Sequence, residues 1–153
     1  MPPDPSPALV KEVPMVPANY VKFHAPTQDD YRAGVCNIGP AEIRRRRRAG
    51  HMGLAATIVT FVALLVIGAP QPVRLLVALP AAAAASGYLQ AVLHFCAGFG
   101  SSGVYNFGPL GTTQGVTDRA ERTRDLLMSA RIGFGAIAIG AAVGVVAALV
   151  PLR

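Results

Sequence analysis

The chain has 153 residues, a formal net charge of +6 and a mean hydropathy of +0.44, with 52% hydrophobic and only 14% charged residues. So little charge, against roughly 25% in an average soluble protein, cannot cover a globular surface, and so much apolar content excludes a wholly disordered chain. Two cysteines exclude a disulfide scaffold and a four-cysteine zinc site.

Residues 1–35 hold seven prolines, at 2, 3, 5, 7, 14, 17 and 26. They read as a disordered, Pro-rich cytoplasmic tail with extended polyproline character. The basic start and apolar stretch of a cleavable signal peptide are missing. Tyr20-Val21-Lys22-Phe23 is a short docking patch by composition. Residues 36–52 form a basic juxtamembrane segment around five consecutive arginines, Arg44, Arg45, Arg46, Arg47 and Arg48. Such a run also suits nucleic acid. Here it ends just before an apolar span and has no aromatic interleaving, so it reads as a topology anchor that also attracts anionic lipids.

Three windows then lack charge: 49–73, 75–117 and 132–152. A membrane-spanning helix needs about 20 apolar residues, and each window holds one. The expected spans are about 53–69, 75–99 and 132–150, which make 53–150 an all-α, three-helix transmembrane domain. Pro70-Gln71-Pro72 breaks the chain between the first two, which therefore form an antiparallel hairpin. Pro80 belongs in a first turn or at a kink.

Lys and Arg alternate across the spans. Five arginines precede the first, Arg74 lies after it, Arg119, Arg122, Arg124 and Arg131 precede the third, and Arg153 ends the chain. The positive-inside rule then sets the N-terminus and the 100–131 loop in the cytoplasm and the C-terminus outside. That loop is glycine-rich to Gly115. From Asp118, with Glu121 three residues on, it reads as a capped, charged helix running into the third span. Gly98, Gly100 and Gly103 match G-x-G-x-x-G by count, but they follow a membrane helix rather than a strand, so no dinucleotide site is expected.

Within the spans, Ala136, Gly140, Gly144 and Ala148 recur every four residues. Such a small-residue face lets two backbones approach, within the monomer or between copies of a homo-oligomer. Ser86, Gln90 and His94 share a second face by the same spacing. They form either a polar intramembrane track or interhelical hydrogen bonds. Cys36, His51, His94 and Cys96 fall near one membrane face. They are the candidates for a metal, haem or redox site, although two residues apart on a helix point roughly 200° from each other, which separates His94 from Cys96.

Asn37-Ile38-Gly39, Glu42, the arginine run, Gly50 and the following apolar hairpin resemble the small bacterial inner-membrane hairpin domain of unknown function, sometimes fused to a rhodanese domain. The resemblance covers 37–100. Phe95-Cys96-Ala97-Gly98 stands at the family's Gly/Cys element, with Ala97 where the family carries proline. It implies a bacterial plasma-membrane protein. The expected function is a non-catalytic accessory, assembly or structural subunit, with no cofactor and no nucleic acid, whose partners are the bilayer and a homo-oligomer or larger membrane complex. The alternatives are a thiol- or histidine-based redox or metal-responsive protein and a small oligomeric pore or carrier.

Overall fold

A computed structural model describes residues 30–151. The 1–29 part of the proline-rich tail, with the Tyr20–Phe23 patch, lies outside the described residues. Helix α1 runs Pro40–Val66, α2 Gln71–Arg74, α3 Ala78–Val92, α4 Ala97–Ser102 and α5 Arg119–Leu149. A 3-10 turn, Leu75–Val77, joins α2 to α3, and strands β1, Val104–Tyr105, and β2, Gln114–Gly115, form a small antiparallel hairpin. Three stretches, Pro40–Val66, Gln71–Val92 and Arg119–Leu149, are long and apolar enough to cross a membrane. Only 22%, 39% and 28% of their apolar windows are buried. The rest turns outward, with Val59, Val66, Leu79, Phe134 and Leu149 among the most exposed side chains, as lipid-facing helices require.

The helix ends differ from the expected spans, and the causes are local. Gly39 precedes Pro40, which sits at the first helical position, where its missing N–H costs nothing. The arginine run is therefore helical, and α1 is about 40 Å long at 1.5 Å per residue. It stops at Val66 rather than Ala69 because Gly68 takes a left-handed conformation, φ +65. The Gly68 and Ala69 amides then return to Leu65 O and Leu64 O, a Schellman closure. Pro80 lies in the first turn of α3, after the 3-10 turn.

The second span ends at Val92, seven residues before the expected Phe99. His94 holds φ +51, and the Phe95 amide reaches back to Gln90 O. This is the longer of the two bonds of the same closure, with histidine where glycine is favoured. A side chain in the left-handed region costs about 1–2 kcal/mol, and glycine returns part of that as unfolded-chain entropy. His94→Gly is expected to stabilise the chain by about 0.5–1 kcal/mol, read as a rise in the thermal midpoint in detergent.

Helix α3 lies between α1 and α5 and packs on both. Small residues make both contacts. A Cβ added at Gly87 would lie 2.5 Å from the Gly50 nitrogen, and one at Gly53 would lie 2.6 Å from the Ala84 nitrogen. On the other side, a Cβ on Gly140 would meet Ala78 O at 2.6 Å, and one on Gly144 would meet the Ala78 Cβ at 2.8 Å. The small-residue face of the third span is thus occupied within the chain. Ala136, Gly140 and Gly144 are buried, followed by Ala147 rather than the half-buried Ala148, because a helix turns 3.6 residues rather than four.

Helix α5 is capped as its sequence predicts. Asp118 Oδ1 accepts from the Glu121 amide at 2.8 Å. At the opposite end of the bundle, Arg74 is 3% exposed. Its Nε donates to Ala69 O at 2.8 Å and its Nη1 to Val150 O at 2.6 Å. It therefore ties the α1–α2 connection to the end of α5 and serves a terminal helix carbonyl.

Candidate functional site

The residues that carry chemistry gather in a polar cap over the end of the bundle that holds the arginine run. Two segments with related sequences build its centre: Asn37-Ile38-Gly39-Pro40 and Asn106-Phe107-Gly108-Pro109. They run side by side through a parallel bridge between Ile38 and Asn106. The Asn106 amide donates to Asn37 O and the Gly39 amide to Asn106 O. A Cβ on Gly39 would lie 2.9 Å from the Phe107 backbone, so glycine is what lets the two strands meet.

The two asparagines do different work. Asn106 closes its own turn: its Oδ1 accepts from the Gly108 amide and the Thr112 hydroxyl, and its Nδ2 donates to Pro109 O. Asn37 is fully buried and reaches across 59 residues. Its Oδ1 accepts from the Cys96 amide at 2.7 Å and its Nδ2 donates to Cys96 O at 3.1 Å. Its amide also donates to His94 O. The chain leaving α3 is thereby clamped to the segment entering α1.

Cys96 caps α4. Its sulfur accepts from the Phe99 amide at 3.3 Å and from Arg46 Nη2 at 2.9 Å, and the residue is 1% exposed. Arg46 lies 5.9 Å from the centre of the Phe99 ring, within cation–π range. Its other neighbour is Glu42, buried one turn earlier, with Arg46 Nη2 3.8 Å and Arg45 Nη1 3.7 Å from the carboxylate. Glu42 Oε2 and Arg46 Nε are buried without a hydrogen bond. The carboxylate thus holds the guanidinium by charge rather than by close donors, and the guanidinium faces the sulfur. Of the five arginines read as a topology anchor, Arg46 is the one turned into the fold; Arg44, Arg45, Arg47 and Arg48 are exposed.

The cap is fastened to α5 by Asp125, fully buried. Its Oδ2 accepts from the Tyr31 hydroxyl at 2.8 Å and its Oδ1 from the Gly34 amide at 2.7 Å. Tyr31 also stacks on Tyr105 at 4.6 Å. Residues 31–35, read from sequence as the end of a disordered tail, are therefore part of the fold. Their turn closes through Arg32 and Cys36, which exchange backbone hydrogen bonds.

Burial, then the hydrogen bond to Asp125 and the charge behind it, hold the Tyr31 phenol well above its ordinary 10.0. The folded chain then keeps a proton that the unfolded chain loses above about pH 10. Stability from this contact is constant below that pH and falls as pH rises above it. Tyr31→Phe is expected to lower stability below pH 10 and to narrow the gap from wild type above it, in chemical unfolding followed across pH 7–12.

The four candidate metal and redox residues do not converge. His51 Nδ1 shares a 2.7 Å hydrogen bond with the Tyr88 hydroxyl. His94 is exposed. Cys36 lies beside Ile38 O at 4.0 Å, and burial pushes its thiol up. Cys96 faces Arg46. Among the described residues no three His, Cys, Asp or Glu side chains form a metal ligand set.

The polar face of the second span is also corrected. His94 lies beyond the helix end and leaves the Ser86–Gln90 row. Gln90 Nε2 donates to Ser86 Oγ and Ser86 O, and its Oε1 accepts from the Ala97 amide. Gln90 thereby ties α3 to the cap, and Ser86 orients it.

Sequence reasoning missed Asn37 and Asn106 as clamps, Asp125 as a fastener and Arg74 as a buried tie. The repeated Asn-x-Gly-Pro was the one signal available for the first two. Comparison with family models, curated proteins and solved structures finds no match.

Proposed function

We propose that this chain is a multi-pass plasma-membrane protein, of a bacterial inner membrane, that acts as a non-catalytic accessory, assembly or structural subunit. The N-terminus and the cap lie in the cytoplasm and the C-terminus outside, which the high-low-high-low arginine distribution supports. One observation carries the reading. The buried polar side chains Asn37, Gln90, Asn106 and Asp125 are spent on backbone and neighbouring hydrogen bonds. They build a rigid cap and leave an exposed basic surface above the lipid-facing girdle. Purification in mild detergent followed by partner identification tests it. A reproducible membrane-protein partner or a defined homo-oligomer supports the reading, and repeated recovery of the chain alone as a monomer overturns it.

A second reading, a thiol-responsive membrane protein, is favoured by Cys96, whose sulfur faces a guanidinium and a backbone N–H at once. Loss of a cellular oxidant response in Cys96→Ser supports it. The pore reading has less support, because Ser86 and Gln90 turn their polar atoms onto each other and the cap. Gln90→Leu is expected to leave liposome ion flux unchanged.

A further inference from the structure

The outward face of the arginine run is a shaped recess. Arg44, Arg45 and Arg48 line it with Ala41, Ala49, Met52 and Leu110, around a volume of about 560 Å³, in the range of small-ligand sites. The helix turns about 100° per residue, so positions 41, 44, 45, 48, 49 and 52 share one side of α1. Arg46 points into the cap and Arg47 points away. Leu110, from the long turn of the β1–β2 hairpin, supplies the opposite wall and makes the face concave. Arg45 is partly neutralised by Glu42 at 3.7 Å. Arg44 and Arg48 have no partner among the described residues. Guanidinium forks match phosphate oxygens. Below them the same face continues through Met52, Ala56 and Val59, with Met52 73% and Val59 67% exposed, so cationic and apolar parts stack in the order of a lipid headgroup and its chains.

We propose that this recess binds one anionic phospholipid, its phosphodiester between Arg44 and Arg48 and its glycerol and upper chains against Leu110 and Met52. The proposal rests on the membrane reading above, and it goes beyond a general attraction of basic residues to a charged surface. A diffuse attraction treats all five arginines alike, whereas a built recess distinguishes Arg44 and Arg48 from Arg47.

The test uses the full chain, delipidated in maltoside detergent. It is titrated with short-chain phosphatidylglycerol, short-chain phosphatidylcholine or inorganic phosphate, and the bound mass is followed by native mass spectrometry. One phosphatidylglycerol per chain is expected, with phosphatidylcholine bound about tenfold more weakly or not at all. Arg44→Gln and Arg48→Gln should each weaken phosphatidylglycerol roughly fivefold. Arg47→Gln, with the same loss of charge, should bind as wild type, and Leu110→Ala should weaken the lipid.

An equal loss in Arg47→Gln overturns the proposal, as does equal binding of phosphatidylcholine. Displacement of phosphatidylglycerol by equimolar phosphate overturns the lipid assignment in favour of a free-phosphate site. Alkaline carbonate extraction separates the two levels: release from membranes removes the membrane reading itself. Retention in membranes without the variant pattern removes only the recess.

Discussion

Asn37→Ala is expected to destabilise the chain by about 2–3 kcal/mol and to open Cys96 to alkylation. The Asn37 side chain is fully buried and holds both backbone groups of Cys96. Cys96 O keeps a second donor, the Gly100 amide at 2.9 Å. The Cys96 N–H keeps none among the described residues, and a buried donor left unsatisfied costs about 1–3 kcal/mol, to which the vacated volume adds. Asn106→Ala is the informative companion. It occupies the same position in the repeated tetrapeptide, but its side chain serves its own turn, so Cys96 should stay protected. The measurement is maleimide labelling of Cys96 in a Cys36→Ser background, with the thermal midpoint in the same detergent. Equal protection in Asn37→Ala and wild type would remove the clamp.

Gly87→Leu is expected to have the largest effect of any single substitution in the bundle and to prevent the α1–α3 pair from closing. Even Gly87→Ala should cost about 1–3 kcal/mol. The added Cβ would meet the Gly50 nitrogen at 2.5 Å, the Gly50 Cα at 2.7 Å and Arg46 O at 2.9 Å. These are backbone atoms, which cannot swing aside as a side chain can. In lipid, close backbone approach is itself the source of helix association, so separating the helices forfeits the contact as well as adding strain. Gly133→Ala is the control. Nothing lies within 4 Å of a Cβ there, and alanine favours the helix by up to about 1 kcal/mol. Thermal unfolding in one detergent should therefore rank Gly133→Ala at or above wild type, and Gly87→Ala and Gly87→Leu progressively below it.

The parts of the fold legible in the sequence were those that apolar and small-residue patterning dictates. Gaps in charge located three apolar helices, and the four-residue spacing of Ala136, Gly140 and Gly144 located a packing face. Asp118 and Glu121 marked the start of α5. The packing partner was not legible. Periodicity says that a face is small but not that Ala78 and Ala82 fill it.

Helix ends failed where one residue outweighed the pattern. The apolar run through Phe99 hides the left-handed His94 that stops α3. The arginine run hides the helix that Pro40 starts, because exposed basic residues carry no amphipathic signal. The cap was the least legible region. Asn37, Glu42 and Asp125 there, like Arg74 at the far end of the bundle, are buried polar residues outside the apolar windows, and composition reads such residues as solvated. Their burial follows from long-range contacts, such as that of Tyr31 with Asp125 at a sequence separation of 94, which no local window contains. The candidate site shared that fate. Cys96 was singled out by residue type, but its partners Arg46 and Asn37 were not, since one was counted as a topology charge and the other as part of a resemblance.

In the proposed reading the chain crosses the membrane three times with its polar cap in the cytoplasm. Two exposed positions test it directly: Gln71, the first residue of α2, and Thr113, in the cap. Each is replaced by cysteine in a Cys36→Ser, Cys96→Ser background and challenged with a membrane-impermeant maleimide on right-side-out vesicles. Gln71→Cys should label in intact vesicles, and Thr113→Cys should label only after the membrane is permeabilised. Labelling of Thr113→Cys in intact vesicles with protection of Gln71→Cys would reverse the orientation. Labelling of both would contradict a bundle with its two ends on opposite sides of a membrane.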